Sequence, residues 1–150
     1  MRASLASSME FEAFCHATEN LEKVKRAILN LLPRELRRAY EARFHVELLE
    51  GHYGNPIAVV RLKVVNRSHA SLALLEILRA MGAADISALD SSIHARLDRS
   101  GNLYLRVDKQ MAFLGRVKLY EGDDVVRVKV KLMPKACAAL KSGGVKEILK

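Results

Sequence analysis

Residues 44–65, FHVELLEGHYGNPIAVVRLKVV, decide how the rest of the chain is read. Phe44, Val46 and Leu48 alternate with His45 and Glu47, and after a break Val60, Leu62 and Val64 alternate with Val59, Arg61, Lys63 and Val65. A period of two marks strands with one apolar face. Between the runs stands Gly51-His52-Tyr53-Gly54-Asn55-Pro56, whose glycines permit backbone angles closed to other residues and whose Asn-Pro step directs the chain into the next strand. The whole stretch predicts an antiparallel hairpin. Its turn does not need His52 and Tyr53, which at a loop tip beside Asn55 are free to stack on, or hydrogen-bond to, a partner.

Outward from the hairpin, Met9, Phe11, Ala13, Cys15 and Ala17 alternate with Glu10, Glu12, Phe14 and His16, predicting a first strand. Thr18 stands at an expected helix N-cap, and Leu21, Val24, Ile28, Leu31 and Leu32 follow at helical spacing until Pro33. RELRRAYEAR (34–43) reads as one or two exposed, cationic helical turns. After the hairpin, Ser68 is the expected cap of a helix carrying Leu74, Leu75, Leu78 and Met81, with Gly82 at its end; Ile86, Leu89, Ile93 and Leu97 mark another. Three strands are then predicted at Leu103–Val107, Leu114–Tyr120 and Val125–Leu132, the last two joined as a hairpin across Glu121-Gly122-Asp123-Asp124. In the first hairpin of that group, Asp108, Lys109 and Gln110 fall at a tip that could meet phosphate and base edges.

This order gives an α+β fold: a two-layer α/β sandwich with a mainly antiparallel sheet of about five to six strands and helices on one face. At 150 residues the chain has the length of one domain. Residues 1–8 are expected to be a flexible N-terminal extension, 9–133 the domain, and 134–150 a basic C-terminal tail with a short helix.

Lys and Arg number 25 against 17 Asp and Glu, a net charge of +8. An excess of that size puts a polyanion first among partners. The alternating strands place the cations together: opposite the apolar positions lie Arg61 and Lys63, Tyr104 and Arg106, Arg116, Lys118 and Tyr120, and Arg127, Lys129 and Lys131. Arg37 and Arg38, with Arg34 and Arg43, add a basic segment. Cations for phosphates and tyrosines for exposed bases suit RNA; the plainer reading is the solvated side of an amphipathic sheet.

Catalytic and metal arrangements are poorly supported. Neither GK[ST] nor HExxH occurs, and the five histidines show no i, i+4 pair on a helix. Cys15 and His16 are adjacent strand residues on opposite faces, so Cys15 reads as a core residue rather than a nucleophile. The two cysteines belong to no CxxC pair, and no apolar run reaches the ~20 residues that span a bilayer. No enzyme activity, cofactor, metal or membrane partner is expected, and the cytoplasm is the expected location.

FEAFCHATEN (11–20), GHYGNPI (51–57) and GNLYLRVDKQMAFLG (101–115), taken together and in order, resemble the archaeal RNA-binding protein family described as a predicted exosome subunit. The resemblance runs from about Met9 to Met133. It implies a fold similar to that of the large-subunit ribosomal protein that contacts 5S ribosomal RNA, RNA as partner, exosome or ribosome components nearby, and an archaeal cytoplasm. The matching positions are Cys15 to Thr18, His52 to Pro56, Arg106, Asp108, Lys109 and Gln110, where RNA contact is expected. The N-terminal extension, RELRRAYEAR and the lysine-bearing tail depart from the family pattern. The expected function is noncatalytic RNA binding in RNA processing or on ribosomal RNA; the alternative is a protein-interaction subunit whose basic surface docks an acidic partner.

Overall fold

The computed structural model describes residues 4–50 and 54–150. Strand β1 (Ala6–Cys15) runs into helices α1 (Leu21–Leu29) and α2 (Arg34–Tyr40), followed by β2 (His45–Glu50) and β3 (Pro56–Val64). Helices α3 (Arg67–Ala80), α4 (Ala83–Ser91) and α5 (Ile93–Arg96) precede β4 (Asn102–Asp108), α6 (Lys109–Phe113) and β5 (Val125–Leu132), and the chain closes with α7 (Pro134–Gly143) and α8 (Val145–Leu149). The five strands form one sheet in the order β2-β3-β1-β5-β4, with every neighbouring pair antiparallel. The fold is the α+β arrangement that the alternating runs predict.

Alternation explains which face is covered. Met9, Phe11, Ala13 and Cys15 of β1, with Val60 and Leu62 of β3, Val128 and Val130 of β5 and Leu103 and Leu105 of β4, point to one side and are buried against the helices. Helix α3 lies along β1 and contributes Leu74, Ile77 and Leu78 to that core; Ile28 comes from α1 and Leu89 from α4. Fully burying a side chain of this size is worth about 1.5–3 kcal/mol, so one apolar layer fixes the helices to one face and leaves the other open.

The caps fall two residues from their expected places. Asn20 rather than Thr18 caps α1, its side chain accepting from the Glu22 and Lys23 amides at 2.8 and 3.2 Å. Asn66 rather than Ser68 caps α3 through the His69 amide. The helix expected across Ile86–Leu97 is divided at Ser92 into α4 and α5.

Two expectations are corrected. No strand forms over Leu114–Tyr120: α6 and a loop occupy that region, and only Leu119 bridges to Val107 along the outer edge of β4. β5 therefore pairs with β4 and β1 instead of making a hairpin with that segment. Val117 and Leu119, between Arg116, Lys118 and Tyr120, mimic strand alternation, but Asp108 caps α6 by accepting from the Met111 amide at 2.9 Å, and this turns the chain into a helix at the end of β4.

Residues 5–6 and 134–150 pack into the core. Leu5 and Ala6 are wholly buried, their amides donate to the buried Ser71 hydroxyl of α3 at 3.0 Å each, and β1 begins at Ala6, while residues 1–3 of the expected extension lie outside the described residues. Residues 134–150, expected as a basic tail with a short helix, form α7 and α8 and pack through Ala136, Leu140, Val145 and Ile148, all at most 2% exposed. Gly144 (φ +80°) makes the break between α7 and α8, and Asp90 accepts from the Val145 amide at 2.8 Å.

Candidate nucleic-acid interface

Register places the residues of the uncovered face in rows. Lys63 (β3), Glu10 (β1), Lys129 (β5) and Tyr104 (β4) lie side by side; the next row is His45 (β2), Arg61, Glu12, Arg127 and Arg106. Lys131 sits beyond Lys129, opposite Ser8 and Asn102. Seven of the cations and tyrosines expected here, Arg61, Lys63, Tyr104, Arg106, Arg127, Lys129 and Lys131, thus share one surface.

Two glutamates of β1, Glu10 and Glu12, run through its middle. Glu12 and Glu47 clamp Arg61 at 3.0 and 3.1 Å, and these hydrogen bonds, Glu47's first, hold its guanidinium above its ordinary pKa. Arg61 is therefore already paired within the sheet. Lys63, Lys129 and Lys131 are exposed. Arg106 donates to the Gly122 carbonyl at 2.6 Å, and Arg127 stacks over the Phe14 ring, 5.2 Å from its centroid. Phe14 stands opposite Val59, and Val59 and Val125 are buried on this face although the core lies on the other.

Tyr104 is held by the Asp98-to-Asn102 turn. Asp98 accepts from the Asn102 and Ser100 amides at 2.9 Å each and from the Tyr104 hydroxyl at 2.9 Å. The backbone and side-chain bonds from Asn102, then those from Tyr104 and Ser100, pull the Asp98 carboxyl down to about 2. It stays ionised under all ordinary conditions and fixes the tyrosine ring with 42% of the residue exposed.

The remaining expected residues lie elsewhere. Lys109, expected at an exposed tip, is 3% exposed and sits at the start of α6. Its ammonium donates to the Phe14 carbonyl and pairs with Glu19 and Asp124, each at 2.8 Å. Burial works against its charge, but the bonds to Asp124 and Glu19 outweigh it and raise its pKa; Asp124, where burial alone would raise the carboxyl, is lowered by the Lys109 bond. Lys109 is a structural cation joining the end of β1, the approach to α1 and the approach to β5. Gln110 is exposed but bonded to Asp124 at 2.9 Å. Arg116 and Lys118 stand in the loop after α6, beside Gly82 and Asp85, and Tyr120 is exposed near Gly122.

Arg37 and Arg38 are on α2 in the helical layer, where Arg37 donates to the Leu32 and Asn30 carbonyls. Asn55 is exposed in the β2–β3 connection, while His52 and Tyr53 lie outside the described residues. The Cys15 thiol is buried; desolvation and then the charge of Glu19 push its pKa up, against the pull of Lys109. Among the described residues no group of His, Cys, Asp and Glu side chains could hold a metal ion, and no helix is long and apolar enough to cross a membrane.

The sequence already placed Glu10, Glu12 and Phe14 on the polar side of β1. What it did not supply was the strand order, which inserts β1 between the two cationic strands.

A family model described as RNA binding matches residues 8–132. The RNA-binding protein PAB1135 of Pyrococcus abyssi is 37% identical over 131 residues, covering 86% of this chain and 84% of the relative. The crystal structure of a DUF54 protein from Archaeoglobus fulgidus is similar at a TM-score of 0.72 with 31% identity, over 85% of this chain and 87% of that one. A DUF54 protein of Methanothermobacter thermautotrophicus matches at 0.74 with 26% identity, over 98% and 100% of the two chains. On the family match and the identity to its curated relative, the chain belongs to this archaeal RNA-binding protein family.

Proposed function

We propose that the protein is a noncatalytic RNA-binding protein that takes RNA on the open face of its sheet and acts in RNA processing, in association with the exosome, or on ribosomal RNA in the cytoplasm. The observation that carries this reading is the gathering of Lys63, Lys129, Lys131, Arg106 and Arg127 on one uncovered surface with a fixed, exposed Tyr104. Lysines meet phosphates as point charges, and the tyrosine ring offers a stacking platform for an unpaired base. Membership of the RNA-binding family supports the same partner.

Four phosphate contacts to a single strand give a log–log salt dependence with a slope of about −3. Titration of labelled single-stranded and structured RNA across a salt series measures it. A slope near zero, or no binding at low salt, contradicts the proposal.

The second reading, a subunit docking a protein partner, has its own observation. β2 is an open edge strand with Leu48 76% exposed and Leu49 45% exposed, and such an edge can accept a partner strand. Absence of RNA binding together with capture of an acidic exosome or ribosome component favours that reading.

A further inference from the structure

A cleft of about 320 Å³ opens on the same face, lined by Glu10 and Glu12 of β1, Tyr104 and Arg106 of β4, and Arg127 and Lys129 of β5. Its size is at the lower end for small-molecule sites, suited to one base rather than to a helix. Three features of its walls specify the ligand further. Glu12 is engaged by Arg61, but Glu10 accepts no hydrogen bond from a described residue, although Lys63 and Lys129 stand directly opposite on either side. Arg127 has its Nη1 buried with no hydrogen-bond partner among the described residues, while its guanidinium carbon lies over the Phe14 ring. Tyr104 is held by Asp98 at the rim.

A buried, unpaired guanidinium N–H is costly unless a ligand satisfies it. A half-buried carboxylate among cations weakens plain phosphate binding, so its presence in this cleft calls for a ligand with N–H donors. Among the four bases, guanine offers two adjacent donors, N1–H and the N2 amino group, that match both oxygens of one carboxylate, and two adjacent acceptors, O6 and N7, that match an arginine fork. Cytosine offers a single amino group to a carboxylate, uracil a single N–H, and adenine sets its amino group beside a single acceptor on each edge, N1 on one and N7 on the other, so it offers neither paired donors nor paired acceptors.

We infer that the cleft reads an unpaired guanine in RNA, with Glu10 accepting from its Watson–Crick edge, Arg127 and Arg106 donating to its acceptors, and Tyr104 against its plane. This rests on the proposal that the open face binds RNA and adds base readout to it.

The test is fluorescence anisotropy with an octauridylate and with the same oligonucleotide carrying one central guanosine, cytidine or adenosine, for the wild type and for Glu10→Gln. The side-chain amide of glutamine keeps the shape but offers one acceptor oxygen instead of two. The guanosine oligonucleotide is expected to bind the wild type about tenfold or more tightly than the octauridylate, a typical discrimination for one bidentate pair. In Glu10→Gln that preference is expected to disappear while octauridylate binding is undiminished, since a negative charge has left a basic face. Equal binding of all four by the wild type, a cytidine preference, or a guanosine preference that survives in Glu10→Gln overturns the guanine inference and leaves RNA binding standing. Failure of all four oligonucleotides and of structured RNA to bind at low salt overturns both.

Discussion

Lys109 shows how far one side chain's environment can depart from its local sequence. Three consecutive polar residues, Asp108-Lys109-Gln110, have the composition of an exposed tip, yet Asp108 caps a helix, Lys109 is buried and Gln110 bonds to Asp124. The burial of Lys109 depends on Glu19, 90 positions away, and on the Phe14 carbonyl, 95 away, and no local pattern announces partners at such separations. Replacement Lys109→Met leaves two partly solvated carboxylates and a carbonyl without their common donor. Breaking a buried ion pair typically costs 3–5 kcal/mol; with the carboxylates partly in water, a loss of about 2 kcal/mol in urea unfolding is expected.

The pH dependence follows from the same contacts. Asp124 is depressed in the folded state, so its contribution is fully present above about pH 4 and is lost as the pH falls through the lower folded value. Lys109 is raised, so its contribution is present below about pH 10 and is lost as the pH rises through the higher folded value. Lys109→Met should therefore flatten the fall in urea midpoint between about pH 5 and pH 2, and an unchanged acid limb would show that Asp124 is not linked to Lys109.

At the scale of elements, period two and period 3.6 were enough to find β1, the β2–β3 hairpin, α1, α3 and β5, because each has one face that must be buried whatever its neighbours are. They failed where an apolar period does not decide between alternatives. Val117 and Leu119 suit a strand by spacing, but only Leu119 finds a bridge partner. Helices α7 and α8 looked like a tail because they are short and carry lysines. Their apolar residues, Ala136, Leu140, Val145 and Ile148, are nevertheless buried in the main core. Ending the chain at Met133 should lower stability by about 5 kcal/mol or more, the burial of several aliphatic side chains being lost together. Circular dichroism on heating measures this. A truncated protein that melts at the wild-type temperature would restore the tail reading.

At the scale of the molecule, the arrangement is a division of labour between two faces. Burial of one apolar side binds all the helices to it, and the alternation that enforces this collects the polar positions of β1, β3, β4 and β5 on the other. The cationic positions of three strands were legible one strand at a time. The acidic line of Glu10 and Glu12 between them was not, because it follows from strand order, which is fixed by long-range pairing of β1 with both β3 and β5. That line divides the surface into a cationic flank carrying Lys63 and another carrying Lys129 and Lys131, with the Arg127 cleft between β1 and β4. Net charge alone does not distinguish this face from the helical layer, where Lys135, Lys141 and Lys146 are equally exposed.

The most direct test sets those two surfaces against each other with equal changes of charge. RNA affinity would be measured at low salt for the triple variant Lys63→Glu, Lys129→Glu, Lys131→Glu and for the matched variant Lys135→Glu, Lys141→Glu, Lys146→Glu, each first shown to melt as the wild type does. The open-face variant is expected to lose about a hundredfold or more in affinity through lost phosphate contacts, with the helical-layer variant within a few-fold of wild type; equal losses, or a greater loss from the helical layer, would contradict RNA binding on the sheet.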